Sequence, residues 1–125
     1  MSAAALGAVP APALVAAGGA VGALARYGVE SAVEGDGSFP RGTLTVNVLG
    51  SFLLGVLVFH PVGGDVLLLA GTGACGAFTT FSSFSVATVQ LWDRGERTRA
   101  AAFVVANTVL AGGAVGLAAA LVAAA

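Results

Sequence analysis

Apolar residues fall along this chain in four long blocks, separated by short stretches that hold most of its Pro, Asp, Glu and Arg. A helix needs roughly 20 mostly apolar residues to cross a bilayer core. Four blocks qualify, at about 11–33, 43–59, 66–92 and 99–122. The pattern predicts an all-α membrane protein with four transmembrane helices in a single domain, 1–125. Pro10 and Pro12 suit the opening turn of the first span. Ser38 and Pro40 mark the approach to the second, and His60-Pro61 its end. Gly63-Gly64 reads as a turn before the third span, with Asp65 a candidate N-cap. Thr98 is the candidate cap of the fourth. The loops are short, at Glu34 to Gly42, Pro61 to Asp65 and Asp93 to Thr98.

Composition agrees with this placement. The chain is 58% hydrophobic and 9% charged, with a mean hydropathy of +0.98, against about 25% charged residues in a soluble domain. A net charge of -1 leaves no basic footprint for nucleic acid. One cysteine, Cys75, excludes an internal disulfide and a cysteine metal site. Met1 to Val9 carries no basic side chain and lacks the charged start of a signal peptide. Glu30, Glu34, Asp36, Asp65, Asp93 and Glu96 all fall at span ends or in loops.

The third block contains the most unusual chemistry. Gly73 to Ser85 is crowded with hydroxyls where lipid-facing positions favour Leu or Val. An unpaired polar group in hydrocarbon costs several kcal/mol, on the order of 2–7. Such a run has to face protein or an ion path. Gly71, Gly73 and Gly76 weaken this helix, and Thr79-Thr80 competes for backbone hydrogen bonds. Two outcomes stand. In one, the helix breaks near Gly76 to Thr80, leaving carbonyls free to hold a cation. In the other, it is an unbroken glycine-rich packing helix whose hydroxyls bond the preceding turn. Phe81 and Phe84, three apart, share a face, and ring edges beside hydroxyls suit a small anion. Packing in the core is the simpler role for both rings, and the residues alone favour it.

Elsewhere, Thr43, Asn47 and Ser51 recur every four residues as one polar stripe. Asn107 and Thr108 put an amide and a hydroxyl in the fourth span, where buried amides often join helices. Arg26 either reaches for the interface or draws anions into a vestibule. Trp92 reads as an interfacial anchor, and His60 as a surface residue. The small-residue pairs Gly18/Gly22 and Gly112/Gly116 predict close helix packing.

Three segments resemble the motifs of the Fluc (CrcB) fluoride channels. They are Gly18 to Tyr27, Gly42 to Phe52 and Gly76 to Ser85, and their order and spacing match across the whole chain. The resemblance implies a multi-pass protein of the cell membrane, acting as an antiparallel dual-topology dimer with two fluoride pathways. It implies passive export of fluoride from the cytoplasm, which lowers its toxicity. It also implies a central structural Na⁺, not transported, held by backbone carbonyls of Gly76 and Thr79 from each chain. Phe81 and Phe84 would be the lining rings and Asn47 the amide donor. Ser83, Thr80 and Thr43 would be hydroxyls along the track, and Arg26 matches the family's arginine in the first span. The fourth span departs from the family pattern: Phe103 and Asn107 stand where a Tyr and a Ser are usual, and the resemblance puts Asn107, like Arg26, on the fluoride pathway.

With four spans, the first and third loops share a side, and that side holds Arg41, Arg94, Arg97 and Arg99. The positive-inside rule places these loops in the cytoplasm and both termini outside. The family default is a homodimer of opposed copies; a biased chain instead pairs with an oppositely oriented paralogue. Two other functions fit four spans. A proton-coupled exporter of cationic drugs needs a midplane carboxylate, which no span supplies. A non-transporting assembly subunit would tolerate Ala or Val in place of the span-three hydroxyls. An enzyme is not expected, since no nucleophile is set beside a base.

Overall fold

The structure is a computed structural model that describes residues 8–35 and 37–125; Met1 to Gly7 and the loop residue Asp36 lie outside the described residues. Helix α1 covers Ala11–Val33, with Pro10 at its N-cap and Pro12 in its first turn. There a missing N–H removes no helical bond. Helix α2 covers Arg41–Phe59. It stops at His60, whose φ of -88° and ψ of 135° are those favoured before a proline.

The third span is built in pieces. Helix α3, residues 64–78, opens with an α-turn at Gly64–Val66. It widens into a π-helix over Leu67–Cys75 and closes with a turn at Gly76–Phe78. Thr79 and Thr80 are then extended, at φ -84°, ψ 160° and φ -149°, ψ 118°. Helix α4 resumes at Phe81–Asp93, and α5 covers Arg97–Ala124. All four spans are long and apolar enough to cross a membrane. The third helix is therefore broken, at the C-terminal edge of the window expected. The unbroken alternative survives only in part: Thr79, Ser85 and Thr88 do bond carbonyls of the preceding turn.

Three helix ends differ from the sequence expectation. Helix α2 begins at Arg41 rather than about Thr43. Gly63, not Asp65, caps α3, and Asp65 sits in the first turn. Thr98 lies inside α5, because the chain reverses early. Gly95, at φ +81°, lets its own N–H reach Trp92 C=O and Glu96 N–H reach Leu91 C=O. This is the paired closure that a left-handed glycine gives a helix end. Arg97 stacks its guanidinium over Trp92 at 4.6 Å, at the same turn.

Helix α1 packs on the π-helical stretch, α2 on α5, and α4 on α5. The first contact is backbone against backbone. A β-carbon at Gly18 would collide with the carbonyl oxygen of Leu69, and one at Gly22 with that of Ala74. One at Gly73 would lie 2.8 Å from Val15 O and 3.0 Å from Gly18 Cα. Between helices in lipid, where the hydrophobic effect is lost, this closeness supplies the attraction. Gly112, Gly113 and Gly116 behave otherwise. Nothing lies within 4 Å of a β-carbon added there, so the close packing expected of Gly112/Gly116 is not made within the chain. A small core of Leu91, Ala100 and Phe103 gathers at the loop end of α4 and α5, joined by Phe39, Leu44 and Phe84.

Candidate functional site

The site is the junction between α3 and α4. Breaking a helix inside a membrane strands peptide groups, and several of them here find side-chain or backbone partners. Thr79 closes α3, with both its N–H (3.1 Å) and its hydroxyl (3.0 Å) on Cys75 C=O. Thr80 turns its peptide towards α2. Asn47 Oδ1 accepts the Thr80 N–H at 2.7 Å, and Asn47 Nδ2 donates to Thr80 C=O at 3.1 Å. One amide side chain thus pairs both backbone groups of one residue, as a neighbouring strand would. The Thr80 hydroxyl accepts from Ser83 N–H at 3.1 Å and caps α4. Asn47 uses its remaining hydrogen on Asn107 Oδ1 of α5, at 3.0 Å. Asn47 and Thr80 are both buried. Gly50 permits the approach, since a β-carbon there would strike the Thr79 methyl.

Two cavities flank this junction. A loop-side cavity of about 490 Å³ is lined by Thr43, Ser82, Ser83, Gln90, Arg94 and Glu34 among others. An inner cavity of about 440 Å³ is lined by Asn47, Ser51, Thr80, Phe81, Phe84 and Asn107 among others. The α2 stripe runs from one to the other, with Thr43 in the first and Asn47 and Ser51 in the second. Residues four apart rise about 6 Å along a helix, which matches two chambers in series.

The structure therefore gathers Asn47, Thr80, Phe81, Phe84 and Asn107, with Thr43 and Ser83 in the adjoining chamber. Arg26 is half-buried on α1 and lines neither. The rings form a ladder. Phe81 and Phe84 have centroids 5.7 Å apart, Phe84 and Phe103 5.4 Å, and Phe103 meets Phe39 edge-on at 5.7 Å. Phe103 is fully buried, whereas Phe81 is 79% exposed. Core packing accounts for Phe84 and Phe103 but not for Phe81. The carbonyls of Gly76 and Thr79 lie at the frayed end of α3, and among the described residues no loop or side-chain donor reaches them. No cluster of three or more His, Cys, Asp or Glu occurs among the described residues.

Sequence reasoning missed Ser82, Gln90 and Thr108 as lining residues. Ser82 lies in the hydroxyl-rich stretch and Thr108 was named only as a hydroxyl of the fourth span, and Gln90 is seven residues after Ser83, on the same helical face. It also missed the partner of Asn47, a peptide 33 positions away.

Four apolar helices, with a hydrogen-bonded break in the third and two flanking cavities that hold hydroxyl and amide groups, define a multi-pass membrane protein with a membrane-embedded polar site. Residues 13–122 match the family described as CrcB-like protein, Camphor Resistance (CrcB). The chain is 55% identical to the Fluoride-specific ion channel FluC 2 of Haloarcula marismortui over 105 residues, covering 84% of this chain and 87% of that one. It is 53% identical to the Fluoride-specific ion channel FluC 1 of Halobacterium salinarum over 118 residues, covering 94% and 98%. A relative from Methanocaldococcus jannaschii, also a Fluoride-specific ion channel FluC, is 42% identical over 100 residues. The chain belongs to the CrcB family.

Proposed function

We propose that this chain is a subunit of a fluoride-selective channel of the cell membrane, a conduit rather than an enzyme, which lets fluoride leave the cytoplasm down its gradient. The observation that carries the reading is the inner cavity, where Phe81, exposed at membrane depth, sits with Phe84 beside the amides of Asn47 and Asn107. Fluoride is small and holds its water tightly. A selective path replaces that water with N–H and O–H donors and with the positive edges of rings. The loop-side cavity, with Thr43, Ser82 and Ser83 hydroxyls and Arg94, supplies donors before the ion meets the rings. Family membership and the names of the relatives support the same reading. The acidic residues described lie at helix ends or in loops, so none serves a proton-coupled exporter at the midplane.

The working form is an antiparallel dimer. Phe81 and Gly76 are exposed on one chain, and a second copy would cover them. Carbonyls of Gly76 and Thr79 would hold the central Na⁺. An all-oxygen donor set suits a hard cation, whose charge would offset anions in a low dielectric. Orientation favours a paralogous partner. Ser38 bonds Glu96 and Arg99, which ties the first loop to the third on the side carrying Arg41, Arg94, Arg97 and Arg99. A reporter fused to the C-terminus should appear on the outer side only; equal signals on both sides favour the homodimer.

The function is tested with purified chain in liposomes loaded with fluoride or chloride. Fluoride should escape within seconds to minutes, read by a fluoride electrode, while chloride stays. Vesicles that retain their fluoride with the chain assembled in them, both alone and together with an oppositely oriented paralogue, would sink the proposal.

A further inference from the structure

Two charged side chains, Glu34 and Arg94, line the loop-side cavity, and the rest of its lining is uncharged. Both are exposed and stand at helix ends, Glu34 closing α1 and Arg94 closing α4. They therefore mark the mouth of the cavity and not its floor. Among the described residues neither joins an ion pair; the pair there is Arg99 with Glu96. Each charge lies against a helix end of opposite sign. A β-carbon on Gly42 would lie 2.8 Å from Glu34 Oε1, which puts the carboxylate over the first turn of α2. In that turn Leu44 N–H bonds Pro40 C=O, while Gly42 and Thr43 N–H have no acceptor among the described residues. Such an N–H end carries partial positive charge, and the C=O end where Arg94 sits carries partial negative charge. Part of each charge is offset locally, so the mouth is close to balanced. Glu30, one turn before Glu34, and Arg41, beside Gly35, lie outside the lining.

We propose that Glu34 sets the rate of anion entry, as a brake on a mouth that Arg94 alone would make attractive. The proposal rests on the fluoride-channel reading and adds to it a rate-setting residue outside the membrane-embedded site. Glu34 does not bind the ion. Its charge lowers the concentration of every anion at the mouth, fluoride and chloride alike. Choosing between the two is left to the uncharged groups farther in. A field of this kind acts through water, so added salt weakens it. A side chain that merely holds the loop in shape would show no such dependence.

The test is fluoride efflux from liposomes at low and high ionic strength, the salt being that of a large impermeant anion. Wild type, Glu34→Gln, Glu34→Ala, Glu34→Asp and Arg94→Gln are compared, each checked for assembly by gel filtration. At about 10 mM ionic strength, where charges interact over roughly 30 Å, Glu34→Gln should raise fluoride flux about 2- to 5-fold, the scale of one charge removed about 10 Å from the ion's path. The gain should vanish at about 1 M, where that reach falls to about 3 Å. Glu34→Ala should behave the same way, so that one assembled uncharged variant is enough to decide. Glu34→Asp keeps the charge and should conduct as the wild type does. Arg94→Gln should lower flux by a similar factor, again only at low salt. The fluoride-to-chloride ratio should stay constant throughout. Wild-type flux in an assembled uncharged Glu34 variant at low salt, or a gain that persists at high salt, overturns the inference. Absence of flux in the wild type itself would instead remove the channel reading, so the two failures are distinct.

Discussion

The α1–α3 seam and the Thr79–Thr80 junction both bring bare backbone together at membrane depth, and they are stabilised by opposite means. At the seam, Gly18, Gly22 and Gly73 let carbonyls of Leu69, Ala74 and Val15 lie directly on glycine carbons. Shape decides that contact, and size is what it cannot tolerate. At the junction, one amide pairs both peptide groups of Thr80 and hands a third bond to α5. Chemistry decides there, and an apolar side chain of equal size is what it cannot tolerate. A rigid seam beside a pinned break gives a site whose polar groups are set before an ion arrives, which is what replacing a hydration shell requires.

The largest effect is expected from Asn47→Leu, a near-isosteric change. It leaves Thr80 N–H and C=O unpaired, at about 1–3 kcal/mol for each buried group. Thermal melting in detergent should fall sharply; normal melting would show that the junction does not depend on hydrogen bonds. Next is Gly22→Ala, which adds one methyl against the Ala74 carbonyl. Overpacking of this kind costs about 1–3 kcal/mol, and the surviving protein should keep its fluoride-to-chloride selectivity. Altered selectivity would mean that the seam shapes the pathway. Thr80→Val removes the cap on Ser83 N–H, worth about 1 kcal/mol, and a 3.3 Å contact with the Ser82 hydroxyl, and should lower melting modestly. Gly112→Ala should be the smallest, within about 0.5 kcal/mol, because that glycine meets nothing within the chain. Loss of the proposed dimer in this variant, with each chain still helical, would place Gly112 at a subunit contact.

The same contrast explains what the sequence made legible. Span limits followed from apolar length and from Pro10, Pro40 and Pro61, because proline acts locally on the residues beside it. Glycines and paired threonines, again local signals, confined a break to Gly76 to Thr80 if one formed, and left an unbroken packing helix equally open. The π-helix over Leu67–Cys75 was not legible. Glycines loosen a helix without specifying a wider turn, and α1 packs against this stretch. Gly18/Gly22 and Gly112/Gly116 share one spacing but not one environment, since spacing cannot say which face of a helix meets a neighbour. The Asn47 stripe was visible by its period of four. Its pairing with a backbone 33 residues away was not, since peptide groups leave no mark in a sequence. Arg26 stands in a motif yet lines neither cavity of the single chain.

Phe81 is the residue on which the functional account turns, being 79% exposed inside a membrane span and set against Phe84 at the mouth of the inner cavity. Fluoride efflux from liposomes holding Phe81→Ile, with assembly verified by gel filtration, tests it most directly. The account predicts an assembled protein whose fluoride flux is abolished, because an apolar branch replaces the ring edge. Flux at the wild-type rate in that variant would contradict it.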